Sequence, residues 1–170
     1  MIEVKRYSDL SQETKAQLDA AIHQEFGHIP IVAQTQWASP DWTIILYENE
    51  EIATFYNIVE RVIRVDGKSL KIGGINNVIT PPAFRKRGFA TKTLSETRHL
   101  IFDELDCEMG VLLCADDLIP FYQRLGWYKV DCPVYFEQHD GTKLWGANAM
   151  FLSEVDQIVP KEVHLAGWPW

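Results

Sequence analysis

The chain has 170 residues, of which 46% are hydrophobic and 24% are charged, and its formal net charge is −8. This length and apolar content suit one well-packed domain over residues 1–170 and leave too little chain for two ordinary domains. The acidic balance argues against a nucleic-acid binder, because phosphate backbones are bound by broad basic surfaces. A neutral or cationic small-molecule partner suits the chain better.

Neither a membrane segment nor a disulfide framework is indicated. The opening MIEVKRYSDL has no apolar run, and no stretch of about 18 apolar residues occurs anywhere in the chain. Cys107, Cys114 and Cys132 are odd in number and include no Cys-x-x-Cys pair, and no His-x-x-x-His pair is present. We therefore expect a cytoplasmic protein that binds no membrane, carries free thiols and holds no metal.

The first part of the chain predicts a strand followed by a helix. The segment IEVKRY alternates apolar and polar residues, as a half-buried strand does, and SDLSQETKAQLDAAIHQEF has apolar residues at helical spacing. The next segment, GHIPIVAQTQWASP, has two prolines and no sustained period. It is either a loop or a short irregular helix followed by a loop, and such segments often line pockets.

Residues 41–80 predict three antiparallel strands. They are rich in Ile, Val, Tyr and Phe and are interrupted at Glu48-Asn49-Glu50 and at Asp66-Gly67. Asp-Gly favours a type I′ hairpin turn, because both residues tolerate positive φ angles. Glycine weakens a strand and commonly marks a bulge or a close backbone approach, so Gly73-Gly74 predicts a bulge in the third strand.

The second half predicts a helix, a buried strand, a short helix and final strands. Apolar residues recur at helical spacing from Gly88 to Asp106, and the apolar run GVLLCA is typical of a strand buried on both faces. A short helix follows in DDLIPFYQRLGW, capped by Asp116 or Asp117, and then two strands around Asp140-Gly141. The fold class is therefore α/β with a mixed sheet, in which a helical crossover makes two strands parallel.

A basic triplet, Arg85-Lys86-Arg87, stands directly before the first predicted helix of this half. The first N–H groups of a helix have no partner within it and bind phosphate readily, and Gly88 lets the backbone approach an anion closely. From charge alone, the triplet could equally be a solvated surface loop. The dinucleotide and nucleotide-triphosphate loop patterns are both absent.

Two motifs carry a family resemblance. The segment RKRGFA has the form Arg/Gln-x-x-Gly-x-Gly/Ala, and FYQRLGW resembles Phe-Tyr-x-x-Leu-Gly-Phe/Trp. In this strand and helix order, the pair resembles the GCN5-related N-acetyltransferase (GNAT) superfamily. That resemblance implies an acyl-CoA N-acyltransferase fold, with a mostly antiparallel sheet whose parallel pair is splayed at a β-bulge, flanked by helices.

The resemblance also implies acetyl-CoA as cosubstrate and a set of residues that bind it. The end of the bulged strand would bind the pantetheine arm, and the following loop and helix start would hold the pyrophosphate. These residues are Val78, Ile79, Thr80, Arg85, Lys86, Arg87, Gly88, Phe89, Ala90 and Thr91. A backbone N–H near Val78 would be placed to stabilise the carbonyl oxygen of the thioester as it gains charge.

Tyr122 stands where the superfamily keeps a tyrosine beside the coenzyme sulfur. The resemblance implies that it is the general acid for the departing thiolate, a role worth on the order of 10² to 10⁴ in rate. By spacing alone it could instead be a core aromatic, because Leu118 and Leu125 share its helical face.

The acceptor amine and the general base are less well defined. Many relatives carry a glutamate on the bulged strand, whereas this chain has Asn76 and Asn77, and an amide cannot take a proton. Glu25, Asp41, His164 and the terminal carboxylate are the alternative bases.

The ending HLAGWPW resembles the Trp-rich ending of the aminoglycoside 2′-N-acetyltransferases. It implies that Trp168 and Trp170 contact an aminosugar; the alternative is a hydrophobic plug. Asn76, Asn77, Trp168 and Trp170 are the candidate substrate residues.

The predicted function is direct transfer of an acetyl group to a primary amine of a small molecule, such as an aminoglycoside or related aminosugar. An acetyltransferase acting on a polyamine, an amino acid or a peptide N-terminus is an alternative. Asn76 and Asn77 also leave open a noncatalytic acyl-CoA-binding or regulatory domain, and a domain without coenzyme is a third hypothesis. A homodimer is possible, since relatives often form one.

Overall fold

The protein forms a ten-stranded mixed sheet with five helices, and the structure, a computed structural model, describes residues 1–170. The strands are β1 Ile2–Arg6, β2 Trp42–Glu48, β3 Glu51–Val65, β4 Lys68–Ile79, β5 Met109–Cys114, β6 Tyr128–Val130, β7 Val134–Gln138, β8 Gly141–Leu144, β9 Asn148–Leu152 and β10 Val163–His164. The helices are α1 Gln12–Phe26, α2 Pro30–Gln34, α3 Phe89–Ser95, α4 Thr97–His99 and α5 Ile119–Gln123. The predicted mixed α/β class is confirmed.

The sheet is built around β3 and β4. Its main path runs β6-β9-β5-β4-β3-β10-β7-β8, while β2 pairs with β3 and β1 with β2. The predicted crossover is present, because β4 and β5 are parallel; β10 and β7 form a second parallel pair. The hairpin of β7 and β8 joins the rest of the sheet through β10 alone. No helix combines the length and the apolar character needed to cross a membrane.

The antiparallel meander of β2, β3 and β4 follows the sequence prediction. Asp66 and Gly67 have φ angles of 51° and 78°, as a type I′ turn requires at both central positions. The predicted helix over Gly88–Asp106 is realised as α3, α4 and a π-helical turn at Leu100–Glu104. Its buried residues pack against the apolar faces of β3, β4 and β5.

The predicted position of the β-bulge is wrong. Gly73 and Gly74 pair regularly with Glu60 and Val59 of β3, and the register shifts further along, where Asn57 faces Asn76 and Phe55 faces Ile79. The extra residue therefore lies at Asn77 or Val78, and Asn77 has a φ of 52°.

The two glycines serve close packing instead. A Cβ on Gly74 would lie 2.3 Å from Cε2 of Trp170, and a Cβ on Gly73 would lie 3.0 Å from Ile101. Because successive residues of a strand face opposite sides, the glycine pair lets an indole and a helical isoleucine approach the two faces of β4.

Two further predictions need correction. Residues 128–152 contain four strands rather than two, since β6 and β9 accompany the predicted β7–β8 hairpin, and β10 follows as a fifth strand after Trp127. Neither Asp116 nor Asp117 makes a side-chain capping bond to the short helix; Asp116 accepts a hydrogen bond of 2.7 Å from Asn148 instead. That bond links the end of β5 to β9.

Candidate active site

The central feature of the site is a split between β4 and β5. Their pairing ends at Ile75 opposite Leu112, although β4 continues to Ile79 and β5 to Cys114. The bulge near Asn77 turns β4 away at this point. Backbone groups beyond Ile75 on this side of β4 therefore have no partner in β5 and can hydrogen-bond an extended ligand.

A cavity of about 370 Å³ lies at the open end of the split. We call it the split cavity. Its walls come from the end of β4, the loop after it, the start of α3, the short helix α5 and Glu25 of α1. All the predicted coenzyme residues except Arg87 line it: Val78, Ile79, Thr80, Arg85, Lys86, Gly88, Phe89, Ala90 and Thr91. The residues predicted to bind the pantetheine arm and most of those predicted to bind the pyrophosphate therefore line the same cavity.

Gly88 forms the turn into α3. Its φ is 78°, a left-handed conformation that favours glycine, and a Cβ there would meet no atom within 4 Å. The N–H of Lys92 is the first to bond back, to the carbonyl of Gly88 at 2.9 Å. The preceding N–H groups of this turn are therefore available to an anion in the cavity.

The two arginines of the basic triplet are held by carboxylates. Arg85 pairs with Glu25 at 2.6 Å and also donates from Nε to the carbonyl of Thr80 at 2.9 Å. Arg87 pairs with Glu48 at 3.2 Å and lies over the ring of Phe89. Lys86 lines the cavity without such an ion pair. Backbone N–H groups and Lys86 are thus the freest donors in the split cavity.

Tyr122 is both a core aromatic and a cavity residue. It is 6% exposed and packs edge-on against Phe121 and Trp127, with centroid distances of 5.1 and 6.3 Å, yet it lines the split cavity. Burial, and secondarily the charge that Cys114 would carry, raise the pKa of Tyr122 far above its ordinary value. The hydroxyl therefore stays protonated at neutral pH and can donate a hydrogen bond into the cavity.

The candidate bases lie in three different places. Glu25 lines the split cavity but is paired with Arg85. Asp41 accepts a hydrogen bond from the backbone N–H of Glu60 at 2.8 Å and lines a different cavity. His164 stacks on Tyr135 at 4.8 Å and lines neither cavity. Of these three side chains, the structure brings Glu25 alone to the split cavity.

The candidate substrate residues lie in different surroundings, and none of them lines the split cavity. Asn76 is the first residue of β4 beyond the paired region, and its Oδ1 is buried with no hydrogen-bond partner in the protein. Trp170 is 3% exposed, lies over Gly74, and its Nε1 is likewise buried and unpartnered. Trp168 is 37% exposed and lines the second cavity. The two tryptophans therefore differ, since only Trp170 fills a gap in the core.

Sequence reasoning missed this second cavity, which has a volume of about 510 Å³. Its walls include Arg61 of β3, Glu137 of β7 and Gly167. No sequence pattern joins these distant positions; they meet because the C-terminal segment crosses beside β3, where Arg61 Nη1 donates to the carbonyl of Trp168 at 2.6 Å.

Comparisons with known proteins agree with this architecture. The sequence profile described as Acetyltransferase (GNAT) domain matches residues 8–130. No curated protein sequence matches the chain. Among solved structures, the chain is similar to the GNAT family N-acetyltransferase YhbS from Escherichia coli in complex with CoA, with a TM-score of 0.62 and 14% identity over 98% of this chain and 89% of that chain.

Two further structures show the same fold. An acetyltransferase of the GNAT family from Brucella melitensis, in complex with acetyl-CoA, has a TM-score of 0.59 and 12% identity over 96% of this chain and 94% of that one. A probable N-acyltransferase from Enterococcus faecalis has a TM-score of 0.56 and 14% identity over 75% of this chain, and the match spans 32% of its own length. These identities show the fold alone, whereas the profile covers most of the chain. The chain belongs to the GNAT acetyltransferase family.

Proposed function

We propose that the protein is an acetyl-CoA-dependent N-acetyltransferase that transfers the acetyl group directly to a primary amine of a small molecule. The observation that carries this proposal is the split cavity, which combines an unpaired strand end at Val78–Thr80 with the free N–H groups around Gly88. An extended amide-containing arm suits the strand end, and a pyrophosphate suits the turn. The two similar structures that contain CoA or acetyl-CoA support the same ligand class.

In this proposal, the backbone holds the coenzyme and the side chains shape its surroundings. Val78, Ile79 and Thr80 bind the arm, while Gly88, Phe89, Ala90 and Thr91 hold the pyrophosphate with help from Lys86. Arg85 acts indirectly, because its bonds to Glu25 and to the carbonyl of Thr80 fix the loop between strand and helix. Arg87 contributes long-range positive charge from outside the cavity.

Tyr122 is the proposed acid for the leaving thiolate. Its raised pKa makes it a weaker acid than an ordinary tyrosine, so its first contribution is a hydrogen bond to the developing negative charge on sulfur. The amine that attacks must be neutral, and removing the proton from a lysine-like amine at pH 7 costs roughly 4.6 kcal/mol. Asn76 cannot accept that proton, so an amine of low pKa is favoured as the acceptor.

Within the class of amines, we propose an aminosugar or aminoglycoside-like acceptor. The exposed ring of Trp168 and the carboxylates around the second cavity support a cationic, ring-shaped ligand. A kinship with the aminoglycoside 2′-N-acetyltransferases rests on the resemblance of the Trp-rich ending and of the long hairpin in the meander. The ring of Trp170 is packed in the core, but its buried Nε1 has no hydrogen-bond partner in the protein. A cytoplasmic location and a homodimer stay predictions.

A noncatalytic acyl-CoA-binding domain is the second candidate, and Asn76 in place of a carboxylate favours it. Two measurements separate the proposals. Acetyl-CoA at 100 times its dissociation constant should stabilise the fold by about 2.7 kcal/mol, and a melting temperature that does not change would contradict both. Release of free CoA thiol with members of a panel of aminosugars, polyamines and amino acids then supports the enzyme, and binding without release supports the noncatalytic domain.

A further inference from the structure

The second cavity lies where β3, which is paired with β4 on one side, has no neighbouring strand on its other side. Pairing with β2 ends at Trp42 opposite Ile58, and pairing with β10 begins only at Arg64. Val59, Glu60 and Arg61 border the cavity in this gap, and it shares no lining residue with the split cavity. It is thus a separate opening formed by the edge of a central strand.

The charge of this cavity favours a cation. Asp41 and Glu137 line it against the single guanidinium of Arg61, while the third carboxylate, Glu60, is paired with Lys71 at 3.4 Å. Arg61 Nη1 donates to the carbonyls of Leu165 and Trp168 at 3.2 and 2.6 Å, so neutral groups hold it in place. The ring of Trp168 adds an aromatic wall, which attracts an ammonium group further.

The cavity comes close to the inner end of the split. Val59 in its wall pairs with Gly74, and the next residue of β4, Ile75, forms the last pair with β5. Asn76 follows at the first position beyond that pair. Because a strand rises about 3.3 Å per residue, Gly74 and Asn76 lie about 7 Å apart on the same face of β4.

Two buried polar atoms without partners lie at these two positions. Nε1 of Trp170 lies 2.6 Å from where a Cβ of Gly74 would be, and Oδ1 of Asn76 is two residues further along. One atom is a hydrogen-bond donor and the other an acceptor. Buried polar groups are nearly always paired, so a matched donor and acceptor on one strand face indicate a ligand that offers the complement.

We propose that the second cavity is the acceptor site and that the Asn76–Trp170 pair makes it selective for an amine that also carries a hydroxyl group. This inference rests on the proposed function. The attacking amine donates an N–H to Asn76 Oδ1, while a hydroxyl oxygen about 7 Å away accepts from Trp170 Nε1. Further ammonium groups are held by Asp41 and Glu137. Both atoms are buried in this structure and neither residue lines the cavity, so in this proposal the Gly167–Trp168 segment must move on binding and break bonds such as that from Arg61 to the carbonyl of Trp168.

The test compares two amines that differ in one hydroxyl group, trans-4-aminocyclohexanol and cyclohexylamine. Their dissociation constants are measured by calorimetry on the protein saturated with CoA, so that no acetyl transfer takes place. The hydroxylated amine should bind roughly fivefold to tenfold more tightly, as one neutral hydrogen bond predicts. Trp170→Phe should abolish the preference, and the control Trp168→Phe should weaken both amines equally and keep it.

Equal affinities in the wild-type protein, or a preference that survives Trp170→Phe, would overturn the inference. If Trp170→Phe fails to fold, the indole N–H resonance of Trp170 in the wild-type protein decides by NMR. It should shift with trans-4-aminocyclohexanol and not with cyclohexylamine, and equal responses contradict the inference. Failure of the proposed function would be seen in other measurements: acetyl-CoA would leave the melting temperature unchanged, or no amine of the panel would cause release of CoA thiol.

Discussion

Glu25 and Arg85 form an ion pair of 2.6 Å at the split cavity, joining the last turn of α1 to the loop after β4. The side chains are 40% and 47% exposed, so the pair contributes little to stability. Its importance is local, because it places a carboxylate beside the N–H groups proposed to receive a pyrophosphate.

Replacing Glu25 with Gln should tighten coenzyme binding. The substitution removes a negative charge next to the proposed phosphate site and leaves the Arg85 bond to Thr80 in place. We expect a severalfold lower dissociation constant for CoA at low salt and a smaller gain at high salt, measured by calorimetry. Glu48→Gln is the matched control, since Glu48 pairs with Arg87 outside the cavity. Equal effects of the two variants would argue against a phosphate site beside Glu25.

A bulky residue at Gly88 should harm coenzyme binding more than loss of the Lys86 charge. Gly88→Val forces a β-branched residue to a φ of 78° and places its side chain where the anion is proposed to lie. We expect CoA affinity to fall about tenfold or more, against a severalfold loss for Lys86→Gln.

A control for Gly88→Val is Gly141→Val, at the first residue of β8, where φ is 115° and the surrounding space is also open. It should lose stability with no change in CoA affinity. If the Lys86 variant loses more affinity than the Gly88 variant, side-chain charge dominates over backbone donors.

Removing the Tyr122 hydroxyl should slow turnover and spare coenzyme binding. With Tyr122→Phe we expect kcat to drop by about 10²-fold, because the developing thiolate loses a hydrogen-bond donor, while the dissociation constant for CoA changes little. Tyr56→Phe serves as the control, since Tyr56 lies in the same core cluster with its hydroxyl bonded to Thr97 at 2.7 Å. An unchanged rate for Tyr122→Phe would refute its role.

The stability of the fold should decrease at alkaline pH through Tyr56. Burial raises the pKa of Tyr56 well above its ordinary value, and the hydrogen bond with Thr97 opposes this only in part. Above about pH 10 the unfolded chain releases this proton while the folded protein keeps it. The stabilisation is therefore present below pH 10 and is lost above it, by about 1.4 kcal/mol per pH unit.

Urea unfolding of the wild-type protein and Tyr56→Phe at several pH values tests this. At neutral pH the variant should be less stable by about 1 kcal/mol, because it lacks the bond to Thr97. Above pH 10 this difference should shrink. A difference in the free energy of unfolding that stays constant up to pH 11 contradicts a raised pKa of Tyr56. Because the two proteins share all other titratable groups, the difference between them reports Tyr56.

Adding a methyl group at Gly74 should displace Trp170. The new Cβ would lie 2.3 Å from the indole, and overpacking of this kind costs about 1–3 kcal/mol. Gly73→Ala is the matched control, because its Cβ would meet the flexible side chain of Ile101 at 3.0 Å. We expect Gly74→Ala alone to change tryptophan fluorescence and to lower the unfolding midpoint markedly. Equal losses in both variants would show that the indole adapts.

Local chemistry explains why much of the fold could be predicted from the sequence. Asp66-Gly67 sets its own turn, and the helical spacing after Gly88 fixes one buried face. Most residues that line the split cavity could be predicted, because two sequence motifs resemble those of a known family. The position of the bulge could not be predicted, because a glycine pair such as Gly73-Gly74 is typical both of a bulge and of close packing. The packing partner of Gly74 is Trp170, which lies far along the chain.

The second cavity shows the limit of sequence reasoning more clearly. Arg61 and Leu165 are 104 residues apart and are joined by one hydrogen bond. Nothing near either residue specifies the other, since the contact depends on how β10 enters the gap beside β3. The raised pKa of Tyr122 likewise comes from burial, which spacing alone does not define.

The two-residue strand β10 has a consequence for folding kinetics. Since β7 and β8 are paired with the rest of the sheet only through Val163 and His164, completing the sheet requires a loop of about 100 residues to close between β3 and β10. Contacts of such long range form slowly, whereas the β3–β4 hairpin needs only a tight turn. We expect the order of assembly to run outward from β3 and β4, with the acidic cavity completed last.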